Sequence, residues 1–203
     1  MSNTEKTIFV LCSNNKGKIK EIKKELSDFN IDVLSQKEAG FDLDVEENGK
    51  TFKENSEIKA ETIFKKLNKP VIADDSGLCV DYLNGEPGIY SHRFAGENAT
   101  DEDRYKKILK LLENVPDEKR GCHFTCSMCY IDKKGEKHFF EDYLYGKIGT
   151  NPKGNNGFGY DPIVFLPEFN KTVAQLSADE KNGISHRGKA TKQLKKIIES
   201  LKI

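Results

Sequence analysis

No net charge is left over in this chain: 33 lysines and arginines face 33 aspartates and glutamates among 203 residues. A protein dedicated to nucleic acid or to an anionic membrane surface needs a net basic field, so both partner classes are argued against, while a local cationic pocket stays open. Long apolar runs are absent too. No stretch approaches a membrane span, and the first residues, Met-Ser-Asn-Thr-Glu-Lys, lack the apolar core of a signal peptide. A second Cys-x-x-Cys is also missing. Cys126-Ser-Met-Cys129 stands alone, with no further pair and no histidines at ligand spacing, which argues against a zinc site. Residues 122–130 alternate instead, so Cys122, Phe124, Cys126, Met128 and Tyr130 share one face of a core strand and His123 points the other way. Free cysteines without an export signal imply the cytoplasm. There is no internal repeat, low-complexity segment or linker. The expectation is one domain over residues 1–203, or one domain with two lobes, large enough to bury a real core.

What is present is a succession of short apolar runs and helical patterns. Thr7 to Cys12 reads as a buried strand. Ser13-Asn14-Asn15 is a turn, and Lys16 to about Phe29 a helix with Ile19, Ile22 and Leu26 on one face. Backbone N–H groups and the helix dipole favour an anion at that helix start, whereas Lys18 adds positive charge where the dipole opposes it. A bound phosphate resolves the conflict; an ordinary N-cap with a solvated lysine is the alternative. The stretch is not a P-loop, which requires GxxxxGK[ST]. Ile31 to Leu34 is a short strand. Asp42, Asp44, Glu46 and Glu47 make an acidic loop. Thr51-x-x-Glu54 is a capping box opening a helix to about Leu67, on which Asn55 and Lys59 lie one turn apart.

The centre of the chain is Pro70-Val-Ile-Ala-Asp-Asp-Ser-Gly77. The apolar run is expected to form a buried strand that stops at Asp74 and Asp75, with Leu78 to Asp81 as a separate strand. Adjacent carboxylates repel unless a cation or a proton relieves them, which suggests a divalent-metal or acid/base site. The competing reading is a polar turn, for which Asp-Asp-Ser-Gly is ordinary chemistry.

Further on, Thr100-x-x-Asp103 is a second capping box, starting a helix to about Leu112. Residues 121–131 and 137–146 read as a hairpin around Asp132 to Gly135. Gly154-Asn-Asn-Gly157 precedes Phe158-Gly-Tyr-Asp161, where glycines allow close approach to a ligand and Phe158 offers a stacking face. A strand over 162–166 follows. The chain finishes in a basic amphipathic helix with Ile184, Ala190, Leu194, Ile197 and Leu201 as its core face and His186 and Arg187 at its start.

Taken in order, these pieces resemble the inosine triphosphate pyrophosphatase family. The matching residues are Ser13-x-Asn15-x-x-Lys18-x-x-Glu21, Thr51-Phe-x-Glu54-Asn55 with Lys59, Ala73-Asp-Asp-Ser-Gly-Leu78, Pro87-Gly-Ile-Tyr-Ser91, Gly157-Phe-Gly-Tyr-Asp161, and Glu180-Lys181 with Ser185-His-Arg-Gly188. The resemblance implies an α/β fold: a long, twisted, mixed sheet flanked by helices, in two lobes with a central nucleotide cleft. It implies a Mg²⁺-dependent hydrolase of ITP, dITP and XTP that releases the monophosphate and pyrophosphate, and a homodimer. It carries over Glu47 and Asp75 as metal ligands, Asp75 also as the base that activates water. Ser13, Asn15, Lys18, Lys59 and Ser76 hold the triphosphate; Phe158, Gly159, Tyr160, Asp161, Lys181, His186 and Arg187 surround the base. Glu46 adjoins Glu47 and competes for the ligand role.

The residue chemistry is compatible with this. Triphosphate hydrolysis needs charge neutralisation and an oriented water more than covalent catalysis. Two other readings remain at this stage. One is a phosphatase with an aspartate nucleophile, which usually carries a DxD pair rather than adjacent aspartates. The other is a non-catalytic nucleotide-binding protein.

Overall fold

The computed structural model describes residues 6–41 and 45–201. Asp42 and Asp44, part of the expected acidic loop, lie outside the described residues. Among the described residues there are seven strands and five α-helices: β1 Thr7–Cys12, α1 Lys16–Glu25, β2 Ile31–Ser35, α2 Phe52–Leu67, β3 Val71–Val80, α3 Asp101–Leu111, β4 Gly121–Ile131, β5 Lys137–Ile148, β6 Val164–Leu166, β7 Lys171–Thr172, α4 Ala178–Ile184 and α5 His186–Ser200. The strands form one mixed sheet in the order β2-β1-β3-β4-β5-β6-β7. β1 pairs parallel with β2 (Thr7 opposite Ile31) and with β3 (Val10 opposite Val71), while β6 runs antiparallel to β5 and to β7. This is the α/β mixed sheet that the resemblance implies.

Two compact units divide the chain. The first takes residues 1–75, 127–141 and 188–203, the second 76–126 and 142–187. In the first, Val10, Cys12, Ala60, Ile63, Val71 and Ala73 form a buried apolar cluster. In the second, Leu78, Val80, Ile108, Phe124, Ile163 and Val164 do so. β3, β4 and β5 each contribute residues to both units.

The main departure from expectation is β3. It does not stop at Asp74; one strand of ten residues runs through Asp-Asp-Ser-Gly to Val80, and Asp74 and Asp75 are buried within it. Aspartate and glycine are poor strand residues, but strand preference is set largely by what surrounds the side chain. Here each carboxylate has a lysine partner from another element, Lys18 on Asp74 and Lys59 on Asp75, and the local turn signal loses.

Smaller differences have similarly local causes. α1 ends at Glu25, capped by Leu26, rather than near Phe29. Thr51 caps α2 through the Glu54 N–H, but the Glu54 carboxylate accepts from the Lys50 N–H, one residue beyond the expected partner. The Thr100–Asp103 capping box forms in full. The last helical pattern is two helices broken at Ser185. On α5, beyond the buried His186, Arg187 and Gly188 at its start, the buried positions are Ala190, Thr191, Leu194 and Ile198, so Ile198 rather than Ile197 completes the core face. All five cysteines are free and buried, Cys122 and Cys126 on the expected core face of β4 and Cys129 on its other face.

Arg120 is a structural residue that the pattern did not single out. It is 4% exposed. Its guanidinium donates to the carbonyls of Leu112 (2.5 Å), Ile148 (2.8 Å) and Gly149 (2.7 Å), holding the end of α3 to the end of β5. Replacing it by methionine leaves several buried acceptors unpaired, and each such group costs about 1–3 kcal/mol. We expect Arg120→Met to lower the unfolding free energy by about 3 kcal/mol, read as a lower urea midpoint at unchanged slope. A loss below about 1 kcal/mol would mean that the carbonyls find other partners.

Candidate active site

In the first unit the site is built on β3. Successive side chains of a strand point to opposite faces. Asp74 therefore turns to the α1 side, where Lys18 Nζ lies 3.1 Å from its Oδ2. Asp75 turns to the α2 side, where Lys59 Nζ lies 3.1 Å from its Oδ1. The adjacent aspartates thus form no carboxylate pair; each has its own lysine.

Asp75 has further partners. Asn55 Nδ2 donates to its Oδ2 at 3.1 Å. The Asn55 carboxamide oxygen accepts the Gly49 N–H at 2.8 Å. Asn55 therefore ties the loop at Gly49 to β3. The approach requires glycine, because a Cβ on residue 49 would come within 2.6 Å of that oxygen. The loop in turn places Glu47, whose Oε1 is 3.0 Å from Lys59 Nζ. Glu46 is exposed. Of the two glutamates in question, Glu47 is the one that joins Asp75 on Lys59.

The electrostatics follow from this packing. Burial pushes the Asp75 carboxyl above its ordinary range, with Lys59 and then Lys18 pulling it back. Burial opposes the Lys59 charge, but Asp75, Glu47 and Asp74 outweigh it and hold the ammonium protonated. The neighbouring Cys12 thiol is pushed up to about 12, mainly by burial, and donates to Gln36 Oε1 at 3.3 Å. It stays a thiol and is no nucleophile at neutral pH.

At the start of α1, Asn15 is the N-cap. Its side chain accepts the Gly17 N–H at 2.9 Å and the Lys18 N–H at 3.1 Å, and Ser13 Oγ accepts the Asn15 N–H at 3.1 Å. Two of the N–H groups expected to face an anion are thus already capped. The conflict between Lys18 and the helix dipole is met by the Asp74 carboxylate rather than by phosphate alone.

The second unit holds the remaining candidates. Asp161, 3% exposed, accepts Lys181 Nζ at 2.6 Å and the Phe158 N–H at 3.0 Å on the same oxygen, Oδ2. Residue 157 has φ +78°, and a Cβ there would lie 2.0 Å from that oxygen, so glycine is required on both counts. Lys181 Nζ lies 4.5 Å and Arg187 Cζ 5.7 Å from the Phe158 ring centroid. Arg187 Nη2 donates to Ser76 Oγ at 2.8 Å. His186 is buried and stacks on Phe124 with centroids 4.9 Å apart. Tyr160 is buried in the core, and its hydroxyl donates to the Ser91 carbonyl at 2.8 Å. The Gly159 N–H donates to Asp101 at 2.7 Å.

The structure therefore brings together Glu47, Lys59 and Asp75, and separately Phe158, Asp161, Lys181 and Arg187 with Ser76. Sequence reasoning noted that Asn55 lies one turn from Lys59 but left it out of the site, and it missed Asp101, whose only local signal is its place in a helix's first turn. A different three-ligand group sits at the β4–β5 turn: Asp132, Glu136 and His138 bring ligand atoms within 4.8 Å of one another. Asp132 there also serves the turn itself, accepting the Lys134 and Glu136 N–H groups at 2.8 and 2.9 Å.

With this geometry in hand, relatives can be compared. The chain is 51% identical over 199 residues to the dITP/XTP pyrophosphatase of Clostridium perfringens, covering 95% of this chain and 98% of that protein. It is 44% identical over 191 residues to the dITP/XTP pyrophosphatase of Bacillus subtilis, covering 94% and 96%. The solved Ham1 protein of Staphylococcus aureus superposes with a TM-score of 0.85 at 45% identity, over 96% of this chain and 99% of that one. That of Coxiella burnetii gives 0.87 at 40%, over 96% and 99%. The model of the Ham1 family matches residues 9–197, a span that includes both constellations, and the chain belongs to that family.

Proposed function

We propose that this chain hydrolyses non-standard purine nucleoside triphosphates (dITP, XTP and ITP) to the nucleoside monophosphate and pyrophosphate. The observation that carries the reading is the convergence of Asp75 and Glu47 on Lys59, with Asn55 fixing Asp75, in a chain half identical to a protein named for that reaction.

In the first unit, Ser13, Asn15, Lys18 and Lys59 hold the triphosphate. Lys18 and Lys59 supply positive charge, and Lys59 is kept protonated by the carboxylates around it. Asp75 is the base: burial raises its basicity, and the donors Asn55 and Lys59 fix its two oxygens in direction. Its role is to orient the attacking water and take its proton.

Mg²⁺ fits the same residues. Glu47 and Asp75, which share Lys59 as a partner, offer hard carboxylate oxygens, the donor type this ion takes together with phosphate oxygens. These two side chains would hold it, and the ion would neutralise charge on the phosphate oxygens.

In the second unit, Phe158 gives the purine a stacking face, and Gly159, Tyr160, Asp161, Lys181, His186 and Arg187 shape its surroundings. Arg187 only donates, as does charged Lys181. Hypoxanthine and xanthine present a 6-oxo acceptor, whereas adenine presents a 6-amino donor that leaves those groups unpaired. The protein acts as a homodimer in the cytoplasm, cleansing the nucleotide pool.

Product analysis on a panel of triphosphates tests the reaction. Pyrophosphate from XTP and ITP is expected; orthophosphate would favour an aspartyl phosphatase, and no turnover would favour a binding protein.

Three substitutions divide the roles. Asp75→Asn is expected to lower kcat by about 10²–10⁴-fold with the circular dichroism spectrum unchanged. Near-normal turnover with Mg²⁺ would remove Asp75 from the chemistry. Lys18→Ala should raise KM for triphosphates about tenfold, as for a lost charged hydrogen bond, and also lower kcat. Unchanged affinity and rate would refute its phosphate role. Arg187→Ala should reduce kcat/KM on ITP by roughly ten- to a hundredfold and on ATP much less, narrowing the ratio between them. Equal losses on both nucleotides would assign Arg187 to phosphate or to structure.

A further inference from the structure

We infer that Asp101, held by Arg104, is a positioning residue for the Phe158 ring and thereby sets how tightly the purine is bound. The inference rests on the base-stacking role proposed for Phe158.

Asp101 opens α3 but is not needed for its cap, because Thr100 and Asp103 already form the complete capping box. Its carboxylate is used elsewhere. Oδ2 accepts the Gly159 N–H at 2.7 Å, 58 residues away in sequence. Oδ1 accepts Arg104 Nη1 at 2.6 Å, one helical turn on. Arg104 is 8% exposed, and its Nε donates to the His92 carbonyl at 2.6 Å. The carboxylate is thus anchored on one side by a buried guanidinium, which is itself fixed to backbone, and on the other side it grips the loop.

What it grips is the peptide that follows Phe158. The Phe158 N–H is already held by Asp161 at 3.0 Å. Both peptide groups flanking the Phe158 Cα are therefore bonded to carboxylates, one from each side. Charge-assisted bonds of this kind are shorter and stronger than neutral ones. The next residue is fixed too, through the Tyr160 hydroxyl and the Ser91 carbonyl. Since glycines flank Phe158 at 157 and 159, the loop has little stiffness of its own, and these bonds set the direction of the ring. Removing Asp101 frees one of the two flanking peptides. The base then meets a platform fixed from one side only, while nothing in the Lys18, Lys59 and Asp75 constellation changes.

The test compares a substrate with a base to a ligand without one. Asp101→Ala is expected to raise KM for ITP about tenfold, as for one lost charge-assisted bond, with kcat within about threefold of wild type. The inhibition constant of inorganic tripolyphosphate, which has the phosphates and no base, should not move. Asp101→Asn keeps an oxygen for the Gly159 N–H and should recover most of the KM. Thr100→Ala removes the cap of the same helix without touching Gly159, so it should lower Tm and leave KM alone. If Asp101→Ala yields no folded protein, Arg104→Gln carries the test, with an expected rise in KM of about threefold and the same tripolyphosphate constant. An unchanged KM, or a tripolyphosphate constant that moves in step with KM, would overturn the role of Asp101. A wild type that releases no pyrophosphate refutes the hydrolase reading instead, so the two failures are distinguishable.

Discussion

Two neighbouring aspartates buried in one strand, each paired with a different lysine, are the constraint on which the first unit depends. Unpartnered, they would place two like charges on adjacent residues away from water, an arrangement that folding does not tolerate without a shift in protonation. The strand's alternation separates them onto opposite faces, and two helices that precede β3 in the chain supply the counter-charges: Lys18 from α1 and Lys59 from α2. That division lets β3 continue through a stretch composed like a turn. It also divides the work. Asp74 anchors Lys18 near the start of α1, while Asp75 shares Lys59 with Glu47 and receives the Asn55 amide. The lysines that stabilise the strand are also the positive charges suited to a triphosphate.

The second unit uses the same economy of partners around Asp161. One buried oxygen of that carboxylate holds both Lys181 and the Phe158 backbone, so the charge that orients a cation also shapes the loop beside it. Gly157 is the residue that lets the carboxylate come so near. Phe158 then has cationic groups near its ring and fixed peptides on both sides of its Cα. In each unit, the groups that contact substrate in the proposed reaction are held by partners that also serve the fold.

Much of this was legible in the sequence where spacing alone decides the outcome. The capping residues Thr51 and Thr100, the β4–β5 hairpin, and the one-turn interval between Asn55 and Lys59 all appear as read. Legibility failed where distant partners override local preference. Nothing local to Asp-Asp-Ser-Gly announces two lysines arriving from helices before it in the chain, so a turn was a fair reading of a strand interior. Asp101 is the clearest case: its carboxylate looks like a helix-dipole complement and in fact holds the Gly159 peptide, a contact only the folded chain creates. Arg120 was invisible for the same reason, since its partners are backbone carbonyls that carry no sequence signal. The register error on the last helix, Ile197 for Ile198, reflects two adjacent isoleucines that periodicity alone ranks alike.

The most direct test of the divided arrangement is a set of double-mutant cycles on unfolding free energy, with lysines changed to methionine and aspartates to asparagine. The pairs Lys18–Asp74 and Lys59–Asp75 should each show a coupling of about 1 kcal/mol or more, whereas the crossed pairs Lys18–Asp75 and Lys59–Asp74, which act through charge without a direct contact, should show clearly smaller ones. Crossed couplings as large as the direct ones would mean that the four charges act as one undivided cluster, and the assignment of separate roles to Asp74 and Asp75 would be wrong.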